Sequence, residues 1–557
     1  MNNYYRLGTH SRPITTSSAA AQRWFDYGLT WCYGYNFEEA EQCFTRALEQ
    51  DPGCAMVHWG VAFANGPFIN KSWAEYGPDE LPVSLQRAFE SSQVALAGSQ
   101  ECTPTEKALI EALCQRYPSD QVVTREEFDA WDDAFASAMR QVHQQFPDDL
   151  DVISLFAGAM MQRTPWQLWD TQKGEPALGA DTLEIIDVLE HGLKLIADNN
   201  DPAHPGINHM YIHTLEMSPH PEKALRAADA LRDLTPDLGH LCHMPSHIDV
   251  LCGHYYDAVV ASEKAIAADA LYLSQVGPYG WYPAAYSHNL KMMMNASMLL
   301  GQFKPAMRAA NRMADLLTPD VLRSDKPYLA YSLEGYYSGR IHVLVRFGRW
   351  QEIIDEPAPQ DPELFPVTIA MDHYAKGIAY AALGEIDHAL RQQALFKEAC
   401  SRIPETRYFS NNSALDVLGV AEAMLAGELA YRQEEYPVAF NHLREAVRRD
   451  ETLNYSEPWA WTHPPRHALG ALLLEQGHVD EAAAVYQADL GLDDTLQRCS
   501  QHPDNVWSLH GYVECLQRQE KSAEATMMQA RLDKAVARAD VEINASCACR
   551  LQHHCCD

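Results

Sequence analysis

Residues 20–52 read AAQRWFDYGLTWCYGYNFEEAEQCFTRALEQDP, and the reading of this stretch decides the fold. Trp24, Tyr27, Gly28 and Trp31 recur at helical spacing, and Ala40, Phe44 and Ala47 do so after a short polar break. The pattern predicts two antiparallel helices. The small residues Gly28, Ala40 and Ala47 let their backbones approach closely, and the aromatic residues fill the space between them. Pro52 ends the second helix, because its ring cannot continue the hydrogen-bond ladder. One such hairpin cannot bury its own apolar face, so further hairpins must stack on it.

The same grammar recurs along the chain. It appears in EKALRAADALRDLTPD (Ala224, Ala228, Pro236) and in YYDAVVASEKAIAADA (Ala258, Ala265). GQFKPAMRAANRMADLLTP, FGRWQEIID, LGEIDHALRQQALFKEA, QEEYPVAFNHLREAV and QGHVDEAAAVYQADL each read as a turn followed by a second helix. KSAEATMMQARLDKAVARA reads as a terminal helix. These residues resemble the tetratricopeptide repeat family, most clearly over 18–60 and 205–270. Within it, NHMYIHTLEMSPHP and GHLCHMPSHIDVLCGHY are similar to a bacterial and fungal group of repeat proteins of this length. The resemblance implies an all-α solenoid, a right-handed superhelix of helical hairpins, with the option of closing around a central cavity. It supplies no reaction. The expected organisation is an N-terminal segment (1–17), repeats with insertions (18–204), further repeats (205–540) and a Cys/His-rich tail (541–557).

Within that frame His209 and His213 stand one helical turn apart, and so do His243 and His247, with matched members 34 residues apart. Thirty-four residues is the period of this repeat, so matched faces of two successive repeats carry imidazole. Neutral imidazoles converging on one point suit a transition-metal ion. His209, His213 and Glu216 form an i, i+4, i+7 ladder on one helical face. Pro245 predicts a helix start with His243 just before it. In the family the first helix of each pair lines the concave groove, and the resemblance places His209, His213, Glu216, His243, His247, His288, His342 and His467 on that side. The expected ligands of one or two iron, copper or zinc ions are His209, His213, Glu216, His243, His247 and His288. One ion shared by the two pairs requires the rings of His213 and His247 to lie within about 8 Å, given metal–nitrogen bonds of about 2.0–2.1 Å. The competing reading is a polar groove for a peptide, or histidines packed against carbonyls.

Other candidates surround this set. Arg163 fits a forked bond to a substrate carboxylate, and with Glu216 as ligand or general base it forms the catalytic assignment. Trp166 and Trp169 wall a pocket or plug an insertion against the repeats. His58 and the Asn70–Lys71 loop face the groove or form plain surface; loops on a rigid scaffold often carry function. His463, Arg466, His467, Trp507 and His510 either contact substrate or belong to repeat cores and helix faces. Assigned to substrate are Arg163, Trp166, His58, Lys71 and His467. The tail holds Cys547, Cys549, His553, His554, Cys555 and Cys556, which are soft-metal ligands or oxidisable thiols.

Composition narrows the function. At 557 residues the chain exceeds one ordinary hydrophobic core, and 47% hydrophobic with 21% charged residues describe a globular protein. A net charge of −33 disfavours nucleic acid and anionic membrane surfaces as partners. The opening MNNYYRLGTHSRPITTSS lacks the order of a secretory signal, which leads us to expect a cytoplasmic protein with reduced thiols. The favoured function is a metal-dependent oxidoreductase acting on a small molecule. The alternatives are a zinc-dependent hydrolase or lyase, a non-enzymatic scaffold holding a peptide or protein, and a histidine-driven, pH-dependent association.

Overall fold

The computed structural model describes residues 4–324, 327–457 and 459–550. The fold is all-α and built from helical hairpins of the tetratricopeptide type. Among the described residues the β-structure comprises two antiparallel pairs, Trp169–Asp170 with Glu175–Pro176 and Tyr408–Phe409 with Asn412–Ser413, and one bridge between Phe68 and Lys71. No helix among them is long and apolar enough to cross a membrane.

The hairpins share one turn. The link from Ala19–Tyr33 to Phe37–Gln50 is three residues long, and its middle residue, Tyr35, has φ 56°. The same three-residue link, with a left-handed middle residue, recurs at Gly253, Gly301, Gly348, Gly384, Glu434, Gly477 and Glu520. Glycine is the usual occupant, because the left-handed region costs an L-residue roughly 1–2 kcal/mol. A glycine seven residues before the left-handed position, facing a side chain nine residues after it, then sets the close approach. A Cβ on Gly28 would lie 2.5 Å from the Phe44 ring, and one on Gly60 of the next helix would lie 2.6 Å from the same ring. Phe44 thus fills the interior of one hairpin and the joint to its neighbour. Gly427 opposite Leu443 and Gly470 opposite Tyr486 repeat the device.

The chain divides into two compact units. One comprises Met1–Ile248 with Ala267–Ser274, the other Asp249–Ile266 with Gln275–Asp557. The division thus falls after Ile248, within the Pro245–Leu251 helix. Hydrophobic periodicity marks helices; it does not mark which neighbours pack most densely.

The N-terminal segment is a strap on the first unit. Tyr4 stacks on Tyr27 at 4.8 Å and meets Trp24 edge-on at 5.0 Å. Arg6 grips Asp237 through its backbone N–H (2.7 Å) and its guanidinium (2.7 Å). Arg12 donates to Asp149 at 2.8 Å and to Asp151 at 3.0 Å. The strap therefore reaches the approaches to both histidine-bearing helices.

Candidate metal centre

The Pro205–Leu215 helix carries His209 and His213, and its start is determined locally. Pro205 occupies the first helical position, and His204 caps the helix by accepting from the Ile207 N–H at 3.2 Å. His204 in turn meets Asp151 at 3.1 Å, and Tyr33 donates to the same carboxylate at 2.6 Å. The second histidine segment departs from expectation. It is already helical over Gly239–His243, breaks at Met244 and resumes at Pro245–Leu251. Pro245 opens the Pro245–Leu251 helix as expected, and because it has no N–H for the carbonyl one turn back, the short Gly239–His243 helix ends just before it. The result brings His240 onto the same face as His243 and His247.

The rings converge. Donor atoms of His209, His213 and His240 all lie within 4.8 Å of one another, and all three side chains are buried. His213 and His247 have ring centroids 5.6 Å apart, inside the limit for a shared ion. His209 and His240 face each other Nε2 to Nε2 at 3.0 Å, and His243 and His247 do the same at 2.7 Å. Two imidazole ligands on a tetrahedral ion with bonds of about 2.0–2.1 Å would have nitrogens ~3.3 Å apart. The spacing already approaches coordination geometry.

The other ring nitrogens assign the tautomers. His209 Nδ1–H donates to the Tyr33 carbonyl at 2.6 Å. His213 and His247 donate from Nδ1 to the two oxygens of Glu216 at 2.6 and 2.7 Å. Ser246 gives its hydroxyl proton to the His243 carbonyl at 2.7 Å, so its oxygen accepts from His243 Nδ1 at 3.1 Å. His209 and His213 therefore each present an Nε2 lone pair, while His247 and His243 hold their Nδ1 atoms on Glu216 and Ser246. The Nε2 of His213 is buried without a hydrogen-bond partner. Burial pushes His209, His240 and His213 below the ordinary imidazole value, towards the neutral form that binds metal. Burial alone would raise the Glu216 carboxyl, but His247 and His213 hold it below the usual carboxylate range.

Aromatic rings wall the cluster. Tyr35 lies 4.5 Å from His209, 5.2 Å from His240 and 5.9 Å from His213. Trp166 meets His213 edge-on at 5.6 Å. Tyr35 and Met210 also line an adjoining, mostly apolar recess, with Phe37, Phe63, Phe68 and Leu155.

Other expected site residues take different places. Glu216 sits behind the rings of His213 and His247, with its oxygens on their Nδ1 atoms and not among the Nε2 donors. Arg163 is held by Asp133 at 2.6 Å and by Asp181, so its fork is occupied within the protein. His58 bonds the Pro52 carbonyl at 2.9 Å. Lys71 pairs with Glu80 at 2.6 Å, and it is Phe68, its bridge partner, that reaches the cluster wall through Tyr35. Trp169 donates to the Thr214 carbonyl at 2.7 Å and braces the histidine helix. His467 belongs to the second unit, where it meets Asp489 at 3.1 Å; His288, also of that unit, has Nδ1 3.0 Å from Glu457 and stays an expected ligand. Cys547 and Cys549 are disulfide-bonded to each other. His553, His554, Cys555 and Cys556 lie outside the described residues.

No family model matches the chain, and no curated protein matches it. Among solved structures, Ypp1 aligns with TM-score 0.46 at 8% identity, over 94% of this chain and 78% of that one. Yeast Tom70 aligns with TM-score 0.26 at 12% identity, over 94% and 91% of the two chains. A chain of the Naa15/Naa10 structure bound to HypK-THB gives TM-score 0.20 at 12% identity, over 93% and 65%. At such TM-scores these likenesses carry no argument about what the chain binds.

Proposed function

We propose that the chain is a helical-repeat metalloprotein whose first unit holds a transition-metal ion through histidine Nε2 atoms, and that it uses the ion as an enzyme on a small molecule. His209, His213 and His240 form the primary set. His243 and His247 extend it towards a second ion. The observation that carries the reading is the convergence of the buried His209, His213 and His240 donor atoms within 4.8 Å of one another, with the His213 Nε2 lacking a hydrogen-bond partner.

An all-imidazole set suits copper or zinc. Because Glu216 orients two rings, the two-histidine, one-carboxylate set of non-haem iron is not formed by these Nε2 donors. Copper would make the protein an oxidoreductase, and zinc with an open position a hydrolase or lyase. The apolar recess beside Tyr35 and Met210 suits a small, largely apolar substrate. Elemental analysis of protein purified without an affinity tag tests the proposal. About one to two equivalents of copper or zinc per chain are expected. Less than about a tenth of an equivalent, with failure to reconstitute, would remove it.

The helical-hairpin architecture itself favours a second reading, a scaffold that holds a peptide or protein partner. Recovery of one stoichiometric partner by protein lacking bound metal would establish that reading instead.

A further inference from the structure

The second unit contains a buried polar cluster that the proposal above does not use. Arg346 ends the Gly339–Arg346 helix and is 6% exposed. Its Nη1 donates to His467 Nδ1 at 3.0 Å and its Nη2 to the Ser546 carbonyl at 2.8 Å. Its planar face lies 3.7 Å from the Trp507 ring centroid. Its Nε has no partner. Because Arg346 can only donate, His467 Nδ1 accepts, and His467 must donate from Nε2 to Asp489 at 3.1 Å. Asp489 also receives His502 (2.9 Å), Asn505 (2.9 Å) and Ser508 (2.6 Å). That carboxylate is satisfied by these four donors. Among the described residues, no carboxylate lies within ion-pair distance of Arg346.

More unpartnered groups gather around His463, which lines the same recess as this cation. His463 Nδ1, both nitrogens of His342, Trp461 Nε1 and Thr462 Oγ1 are buried without hydrogen-bond partners. His463 lies 4.8 Å from Trp461 and 5.5 Å from His342, ring to ring. Unmade hydrogen bonds of this kind cost about 1–3 kcal/mol each, so a cluster of them is not retained for stability. Arg346, His463 and His467 line a small recess whose remaining wall is largely apolar, including Val345, Ile378 and Leu443.

We propose that this recess is a second ligand site, built for a small organic anion with one carboxylate and a short apolar chain. The carboxylate takes the free Arg346 Nε–H and the His463 ring, and the chain lies against Ile378 and Leu443. One guanidinium favours a monoanion. Glu428, which also lines the recess and pairs with Arg432 at 2.8 Å, disfavours a second carboxylate on the ligand. Burial lowers Arg346 to about 9, which leaves it cationic at neutral pH.

Calorimetric titration of the full chain with butyrate, 1-butanol and succinate tests this. Butyrate is expected to bind at one per chain, at least about tenfold tighter than butanol or succinate, since a hydrogen bond to a charged group contributes about 1.5–3 kcal/mol. Arg346→Met is expected to weaken butyrate at least about tenfold by the same reasoning. Should that variant fail to fold, Ile378→Phe, which fills the apolar end and leaves the cation, is expected to abolish binding. Butyrate no tighter than butanol, or binding unchanged in either folded variant, overturns the proposal and leaves a cluster hydrated by water alone. Metal content is read in the same samples. Its loss without loss of butyrate binding separates failure of the metal proposal from failure of this one.

Discussion

His243 and His247 stand Nε2 to Nε2 at 2.7 Å while Ser246 and Glu216 hold their Nδ1 protons. Such a pair is stable with a metal ion between the rings, or with one Nε2 carrying a proton that the other accepts. Adding the cognate metal to stripped protein should therefore raise unfolding free energy, by about 2.7 kcal/mol at a hundredfold excess over Kd. His247→Ala should abolish most of that gain. Chemical denaturation with and without metal measures it, and an equal gain in the variant would place the ion elsewhere.

Glu216 links the two histidine helices by accepting from both His213 and His247. A glutamine there has one acceptor oxygen, so one imidazole loses its orienting bond and meets an N–H instead. Glu216→Gln should weaken metal binding by about 10–100-fold, the usual range for a group that orients a ligand. Competition with a chelator of known affinity reads this directly. Were Glu216 itself a ligand, the loss would be larger and the absorption spectrum of the bound metal would change.

Tyr35 occupies a turn position where five corresponding turns carry glycine. The ring over His209, His213 and His240 is what the left-handed backbone retains. Tyr35→Gly should relieve roughly 1–2 kcal/mol of backbone strain while uncovering the metal site, so metal release by chelator should be faster than in the parent. The reference is Gly384, where a Cβ meets nothing within 4 Å at φ 80°. Gly384→Ala should cost roughly 1–2 kcal/mol with no effect on metal release.

How much of this could be read in the chain follows from the range of each interaction. The hairpins are local, and the stretches around Gly301, Gly384 and Gly477 show turn and helix within twenty or so residues of one another. His209, His213, His243 and His247 were visible because the repeat period carries them onto matching faces. His240 was not, although it stands three residues before His243; the 34-residue match pairs His209 with His243 and draws attention away from a contact one turn earlier. The break at Met244–Pro245 produces that contact, and Pro245 alone reads equally well as a helix start. Arg163 looked available because its partners, Asp133 and Asp181, lie 30 and 18 residues away. The role of Glu216 was half visible: its ladder with His209 and His213 sets the face, but the bond to His247 crosses between helices.

Glu334 supplies a pH dependence in the second unit. It is buried and accepts the Thr368 N–H at 2.7 Å and the Val367 N–H at 3.3 Å at the start of the Pro366–Ala382 helix. Burial raises its carboxyl to about 7 against those bonds. Between the unfolded value and 7 the folded state therefore holds more protons than the unfolded one. Stability from this group is full below about pH 4.3 and is lost as pH rises through 7, by roughly 3 kcal/mol in all. Glu334→Gln should flatten the decline between pH 5 and 7.5 in urea denaturation, and an unchanged slope would assign the dependence to other groups.

Asp151 ties the strap to the metal helix. It receives Arg12 at 3.0 Å, Tyr33 at 2.6 Å, and His10 and His204 at 3.1 Å each. Burial opposes its charge, but the hydrogen bonds and charges of His10 and His204 keep its carboxyl well below the usual range. Asp151→Asn removes the charge while nearly preserving shape, so it leaves Arg12 with Asp149 alone and turns an N–H towards one of its former donors. Breaking a buried ionic network of this kind typically costs 3–5 kcal/mol. The same variant should weaken metal binding, because Tyr33 holds Asp151 through its hydroxyl and His209 through its carbonyl, and His204 caps the helix that carries His209 and His213. Denaturation and chelator competition on one preparation separate the two effects. A variant that loses stability but binds metal as tightly as the parent would show that the strap holds the fold without positioning the imidazoles.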